Sequence, residues 1–158
     1  MATQEHIAKI MQAQQAFFAS GATIDVDFRI KSLRKLQAVI KRREAEINAA
    51  IQADLGKSAF ESYMCESGLV LSEITYMLKH IRSLSKERTV HTPLAQFHSR
   101  SYQKPSPYGV VLVMSPWNYP FLLTFDPLVE ALAAGNTVVL KPSAYSPATG
   151  RIVCEIIR

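Results

Sequence analysis

Asn118, Lys141 and Ser143 stand just past two apolar runs, where polar side chains can meet a ligand. Asn118 lies in the turn Ser115-Pro116-Trp117-Asn118-Tyr119-Pro120, directly after Gly109–Met114, and Lys141-Pro142-Ser143 follows Thr137–Leu140. A side-chain amide can donate a hydrogen bond to an oxygen that gains negative charge during a reaction. An ammonium can hold ribose hydroxyls or a phosphate. The same residues also fit a plainer role, with Asn118 capping the helix after it and Lys141 solvated, and spacing alone leaves both open. The two cysteines, Cys65 and Cys154, are far apart and each sits in a helical pattern. They form neither a disulfide framework nor a zinc spacing and read as reduced, small core residues. His6, His80 and His91 have no ligand-like spacing, so no metal site is expected.

Such residues need elements to hold them. Gly109–Met114 is short, nearly unbroken in apolar character and rich in β-branched residues, as a strand buried on both faces of a parallel sheet requires. Pro120 suits the first position of a helix, where its missing N–H costs nothing. Helical periodicity runs through Leu122, Phe125, Val129, Leu132 and Ala133, and Gly135-Asn136 closes the helix. Thr137–Leu140 reads as a second buried strand. Together these make one βαβ unit with a right-handed crossover. Ligands in such sheets sit outside the carboxyl ends of the strands, where Asn118 and Lys141 fall.

Upstream, Ile7, Ile10, Met11, Phe17 and Phe18 predict an amphipathic helix over 4–19, closed near Gly21. Asp25 or Asp27 can cap the next one. Leu33, Leu36, Ile40, Ile47 and Ile51 mark one face of a long helical region that breaks near Arg43-Glu44 and ends at Gly56. Ser58 and Glu61 have capping-box spacing. Leu71, Ile74, Leu78 and Ile81 line a third long helix. After Pro93, Phe97–Lys104 alternates without a helical stripe and reads as an exposed strand or a surface loop. Ser146-Pro147 reads as the cap and first turn of a last helix, whose apolar face carries Ile152, Val153, Ile156 and Ile157.

The 158 residues, 48% hydrophobic and 20% charged, suffice for one domain with a real core. The net charge of +5 is scattered along helices. The one basic run, Lys41-Arg42-Arg43, is followed by Glu44 and Glu46, which indicates a solvated helix face and no nucleic-acid partner. The start lacks the basic and apolar regions of a signal peptide. No apolar run approaches a membrane span, and a cytoplasmic protein is expected.

Ser-Pro-Trp-Asn-Tyr-Pro, followed by Glu-Ala-Leu-Ala-Ala-Gly-Asn-Thr-Val-Val-Leu-Lys-Pro-Ser, resembles the aldehyde dehydrogenase superfamily. Asp54-Leu55-Gly56-Lys57-Ser58 and Leu71-Ser72-Glu73-Ile74 resemble its branch that oxidises fatty and aromatic aldehydes. The resemblance runs from about Phe28 to the end. It contains no Gly-x-Gly-x-x-Gly, a form on which the family does not rely. It implies an α/β fold: amino-terminal helices, then the first βαβ unit of a Rossmann-like cofactor-binding domain, a truncated aldehyde dehydrogenase fold. Residues 1–95 and 109–158 would be an incomplete NAD(P)-binding domain, and 96–108 a strand of the sheet that bridges subunits in a homodimer.

The resemblance also assigns roles. Asn118 would donate to the aldehyde oxygen. Lys141 and Ser143 would hold the adenosine ribose of NAD or NADP. Ser115, Pro116 and Trp117 would line the cofactor path, and Tyr119 would wall the aldehyde side. At Ala144 many NAD-preferring relatives carry a glutamate. The cysteine nucleophile and glutamate base of the family are expected outside this chain, since neither Cys65 nor Cys154 has the nucleophile context. The expected function is thus that of the amino-terminal part of an NAD(P)-dependent aldehyde dehydrogenase that forms a carboxylic acid through a thioester, the chain alone being inactive. A non-catalytic nucleotide-binding or assembly fragment is the alternative.

Overall fold

Helices fill the first half of the chain, and their apolar stripes are buried against one another and against the elements of the second half. The computed structural model describes residues 3–158. The first helices are α1 (Gln4–Ala19), α2 (Val26–Arg42), α3 (Glu44–Leu55) and the short α4 (Ala59–Ser62). A π-helical turn, Tyr63–Ser67, then leads into α5 (Gly68–Leu84). A small hairpin follows, β1 (Arg88–Val90) and β2 (Ser101–Gln103). The chain finishes with β3 (Val110–Met114), α6 (Leu122–Ala134), β4 (Thr137–Lys141) and α7 (Pro147–Ile157). Among the described residues no helix is long and apolar enough to cross a membrane.

The expected stripes build the core. Leu33, Ile40, Ile47, Ile51, Ile74 and Ile81 are fully or almost fully buried, together with Phe121, Phe125 and Val129 of the α6 region. Leu71 and Leu78 pack against this core without being fully buried. The break falls at Arg43, between α2 and α3, and Gly56 ends α3. Of the two candidate caps, Asp25 is the one used: its carboxylate accepts from the backbone N–H groups of Asp27 and Phe28. The stripe of α1 is less covered than expected. None of its residues is fully buried, and Ile7 is 51% exposed.

β3 and β4 pair in parallel, from Val110 opposite Thr137 to Met114 opposite Lys141, with α6 packed on both. Gly135 ends α6 at φ +93°, where a Cβ would lie 3.0 Å from the Thr23 carbonyl oxygen. The buried Arg29 ties this corner together, donating to the carbonyls of Thr23, Ile24 and Ala133. The expectation of strands buried on both faces holds for one face only. Val113 is buried and Val138 and Leu140 join the core, but Leu112 and Met114 are 58% and 67% exposed. Side chains alternate along a strand, so one packed layer covers every second residue.

The segment read as one exposed strand or loop is strand only at β2. β2 pairs antiparallel with β1, Thr89 opposite Tyr102, and both are largely exposed. β1 was not legible in the sequence: three residues offer no period to read.

Candidate functional site

The carboxyl ends of β3 and β4 form a rim where two loops meet. The Ser115 N–H donates to the Lys141 carbonyl at 3.2 Å, extending the ladder by one residue and setting the loops side by side. Ser115 is buried, and its hydroxyl is engaged with Thr124 Oγ1 at 2.7 Å. It therefore fastens the loop to α6, while Pro116, Trp117, Asn118 and Tyr119 face outward. Lys141 is exposed beyond the end of β4.

Asn118 does not cap α6. The helix begins at Leu122, two residues after the expected Pro120, and its N-cap position has no side-chain hydrogen bond. The capping group comes from the distant π-helical turn instead. Glu66, 0% exposed, accepts from Phe121 N at 2.8 Å and Leu122 N at 3.3 Å. Its other oxygen accepts from Lys57 Nζ at 2.6 Å. Lys57 also donates to the Asn118 carbonyl at 3.3 Å and lies 4.0 Å from the centroid of the Tyr119 ring. The amide side chain of Asn118 is thus left exposed while its backbone is held from below.

The second loop is held by the same segment of chain. Ser146 occupies the N-cap position of α7 with Pro147 in the first turn, as expected, but its buried hydroxyl has no partner. Asp54 supplies the cap, accepting from Ala148 N at 3.1 Å and Thr149 N at 2.7 Å. Ser143 Oγ accepts from Tyr145 N at 3.2 Å, shaping the turn. Ser143, Ala144, Arg151 and Cys154 line a recess of about 430 Å³ beside α7. Tyr145 is 83% exposed and does not close over it.

A helix N-terminus is a ready anion site, and doubly wound folds commonly place a pyrophosphate on the first one. At α6 that place is taken by Glu66, in keeping with the absence of a glycine-rich fingerprint. An exposed cation and a half-buried hydroxyl stand on the other loop, Lys141 and Ser143. Cys65 is half-buried in the π-helical turn, and Cys154 is exposed on α7. Among the described residues no three His, Cys, Asp or Glu side chains are grouped to hold a metal.

Lys57, Glu66 and Asp54 escaped the sequence reading as site residues. Lys57 and Asp54 stand in a motif quoted only for resemblance. Glu66 contacts residues 55 and 56 positions away, and no local pattern announces that.

A parallel βαβ unit with polar loops at its carboxyl rim defines an α/β type of protein, whose ligands sit outside the strand ends. Comparison narrows it. The model of the aldehyde dehydrogenase family matches residues 1–158, which takes in the first helix as well. The chain belongs to the aldehyde dehydrogenase family. It is 43% identical over 143 residues to the 4,4'-diaponeurosporen-aldehyde dehydrogenase of Staphylococcus aureus, covering 90% of this chain and 31% of the relative. It is 40% identical over 152 residues to a Canis lupus familiaris protein named aldehyde dehydrogenase, dimeric NADP-preferring, covering 96% and 33%. The substrate-bound state of Staphylococcus aureus AldH superposes with a TM-score of 0.94 at 40% identity, over 99% of this chain and 33% of that one. The chain therefore spans about a third of the length of these relatives.

Proposed function

We propose that this chain supplies the first βαβ unit and its supporting helices to an NAD(P)-dependent aldehyde dehydrogenase. The enzyme would oxidise an aldehyde of the fatty or aromatic class to its carboxylic acid. The observation that carries this reading is the Asn118 turn. An exposed amide projects past the end of a parallel strand, relieved of capping duty by Glu66 and anchored through its own carbonyl. Its N–H donors can meet the aldehyde oxygen as that oxygen gains charge. A donor that is already in place needs no reorganisation during the reaction. Tyr119, next to it, would wall the aldehyde.

NAD or NADP would supply the hydride acceptor. Lys141 and Ser143 would hold its adenosine ribose, and Ser115, Pro116 and Trp117 would line its path toward Asn118. The residues suit this group: the half-buried Ser143 hydroxyl lines an open recess, Ala144 leaves room at its edge, and the ammonium of Lys141, two residues before Ser143, is exposed. The thiol nucleophile that would form the thioester and the general base are assigned to residues outside these 158. A homodimer would use the exposed β1–β2 hairpin, whose free edges can pair with another chain.

The test is Asn118→Ala in the complete enzyme. Turnover should fall by about 10²–10³ with cofactor affinity nearly unchanged. Reduced cofactor affinity with turnover intact would assign Asn118 a structural role and remove the oxyanion role.

A further inference from the structure

Lys57 and Glu66 are themselves largely buried, and every polar contact they make serves one turn. Glu66 is 0% exposed and the Lys57 side chain 12%. A buried ion pair contributes little net stability, because desolvation offsets the attraction between the charges. Its placement here has a different consequence. Glu66 Oε2 holds the Phe121 and Leu122 amides, Oε1 holds Lys57 Nζ, and Lys57 Nζ holds the Asn118 carbonyl and covers the Tyr119 ring. The backbone is thereby pinned at Asn118 itself and again at residues 121 and 122.

We infer that the Lys57–Glu66 pair is the positioning device for the Asn118 amide. The two residues act through Asn118 and not on the substrate. This rests on the reading of Asn118 as the donor to the aldehyde oxygen. Lys57 fixes the residue's carbonyl, and the Glu66 cap sets where α6 begins, so the backbone from which the side-chain amide projects is held in one place. Displacing a catalytic group by about 1 Å can cost roughly 10²-fold in rate. The pair reaches Asn118 from the loop between α3 and α4 and from the π-helical turn, so it positions the amide from outside the βαβ unit.

The experiment is a double-mutant cycle in the complete enzyme. Lys57→Met should lower kcat roughly 10- to 100-fold and leave KM for the cofactor within about twofold. Lys57→Arg should recover part of the loss, because a guanidinium can still donate to both Glu66 and the Asn118 carbonyl. In an Asn118→Ala background, Lys57→Met should cost less than about threefold, since both changes remove one function. If Lys57→Met does not fold, Glu66→Gln takes its place in the cycle, keeping shape while losing the charge that holds the ammonium. Full additivity in the double variant, or an unchanged kcat in a folded single variant, overturns the inference. An Asn118→Ala enzyme with unimpaired turnover is a different failure: it removes the oxyanion reading itself, and the positioning role with it.

Discussion

On the proposed reading, the residue that would bear most directly on cofactor choice is Ala144. The resemblance to the family implies a glutamate here in many NAD-preferring members, which would accept hydrogen bonds from the adenosine ribose and repel a 2′-phosphate. Here there is no such carboxylate. Lys141 is exposed nearby in the chain, and Arg151 lines the adjoining recess. Specificity often rests on a repulsive element, and its absence relaxes discrimination. The complete enzyme is expected to accept NADP at least as well as NAD. Ala144→Glu should shift preference toward NAD by about one to two decades, roughly 1.4–2.8 kcal/mol. Steady-state kinetics with both cofactors decides this. A wild-type enzyme more than about a hundredfold selective for NAD would show that Ala144 is not the determinant.

At the scale of elements, the starts of α6 and α7 are secured by distant carboxylates. Ser58 follows the local rule, its hydroxyl accepting from Glu61 N at 3.2 Å. α7 does not, because Asp54 of α3 caps it while the Ser146 hydroxyl makes no hydrogen bond. Asp54→Ala should therefore destabilise the protein by about 0.5–2 kcal/mol, and Ser146→Ala should change little. Denaturant unfolding checks both, and equal losses would return the capping role to Ser146.

The α5 and α6 helices also carry a pH dependence. Burial, then repulsion from Asp126 and Glu130, raises the Glu73 pKa, and burial raises that of Asp126. A carboxyl whose folded pKa is raised binds its proton more tightly when folded, so it destabilises above the ordinary carboxylate range. Stability from this source is present below the unfolded pKa, about 4, and is lost as pH rises through the raised folded value. Glu73→Gln should raise the melting temperature at pH 7, and the gain should shrink as pH approaches about 4. A gain independent of pH would show that the carboxylate's charge is not its origin.

For the whole molecule, the decisive feature is a sheet of two strands. β3 and β4 each keep one unpaired edge, and Leu112 and Met114 expose apolar side chains on the uncovered face. Unpaired edges and exposed apolar patches promote association. The 158 residues expressed alone are expected to self-associate, with concentration-dependent size and a broad unfolding transition. Light scattering and melting at several concentrations test this. A sharp melt of a monomer, the same at every concentration, would contradict it.

The sequence by itself determined the long helices, the two parallel strands and the rim. Periodicity placed α1, α2, α3, α5 and α6, because helix packing repeats every three to four residues and leaves a readable stripe. The apolar runs and the glycine after α6 defined the βαβ unit, and its strand ends located Asn118 and Lys141. The family's long motif in the same stretch supplied candidate roles that spacing alone left open. What only the tertiary structure decided are contacts between residues far apart in the chain. These are Glu66 on the start of α6, Lys57 on the Asn118 carbonyl, Asp54 on α7, and the pairing of β1 with β2. A carboxylate looks alike in sequence whether it is solvated or caps a helix 55 residues away, because its partners are backbone amides, which every residue carries. The exposed face of β3 was hidden for a related reason. An apolar strand shows that it can be buried on both sides, and only the arrangement of the other layers determines whether it is.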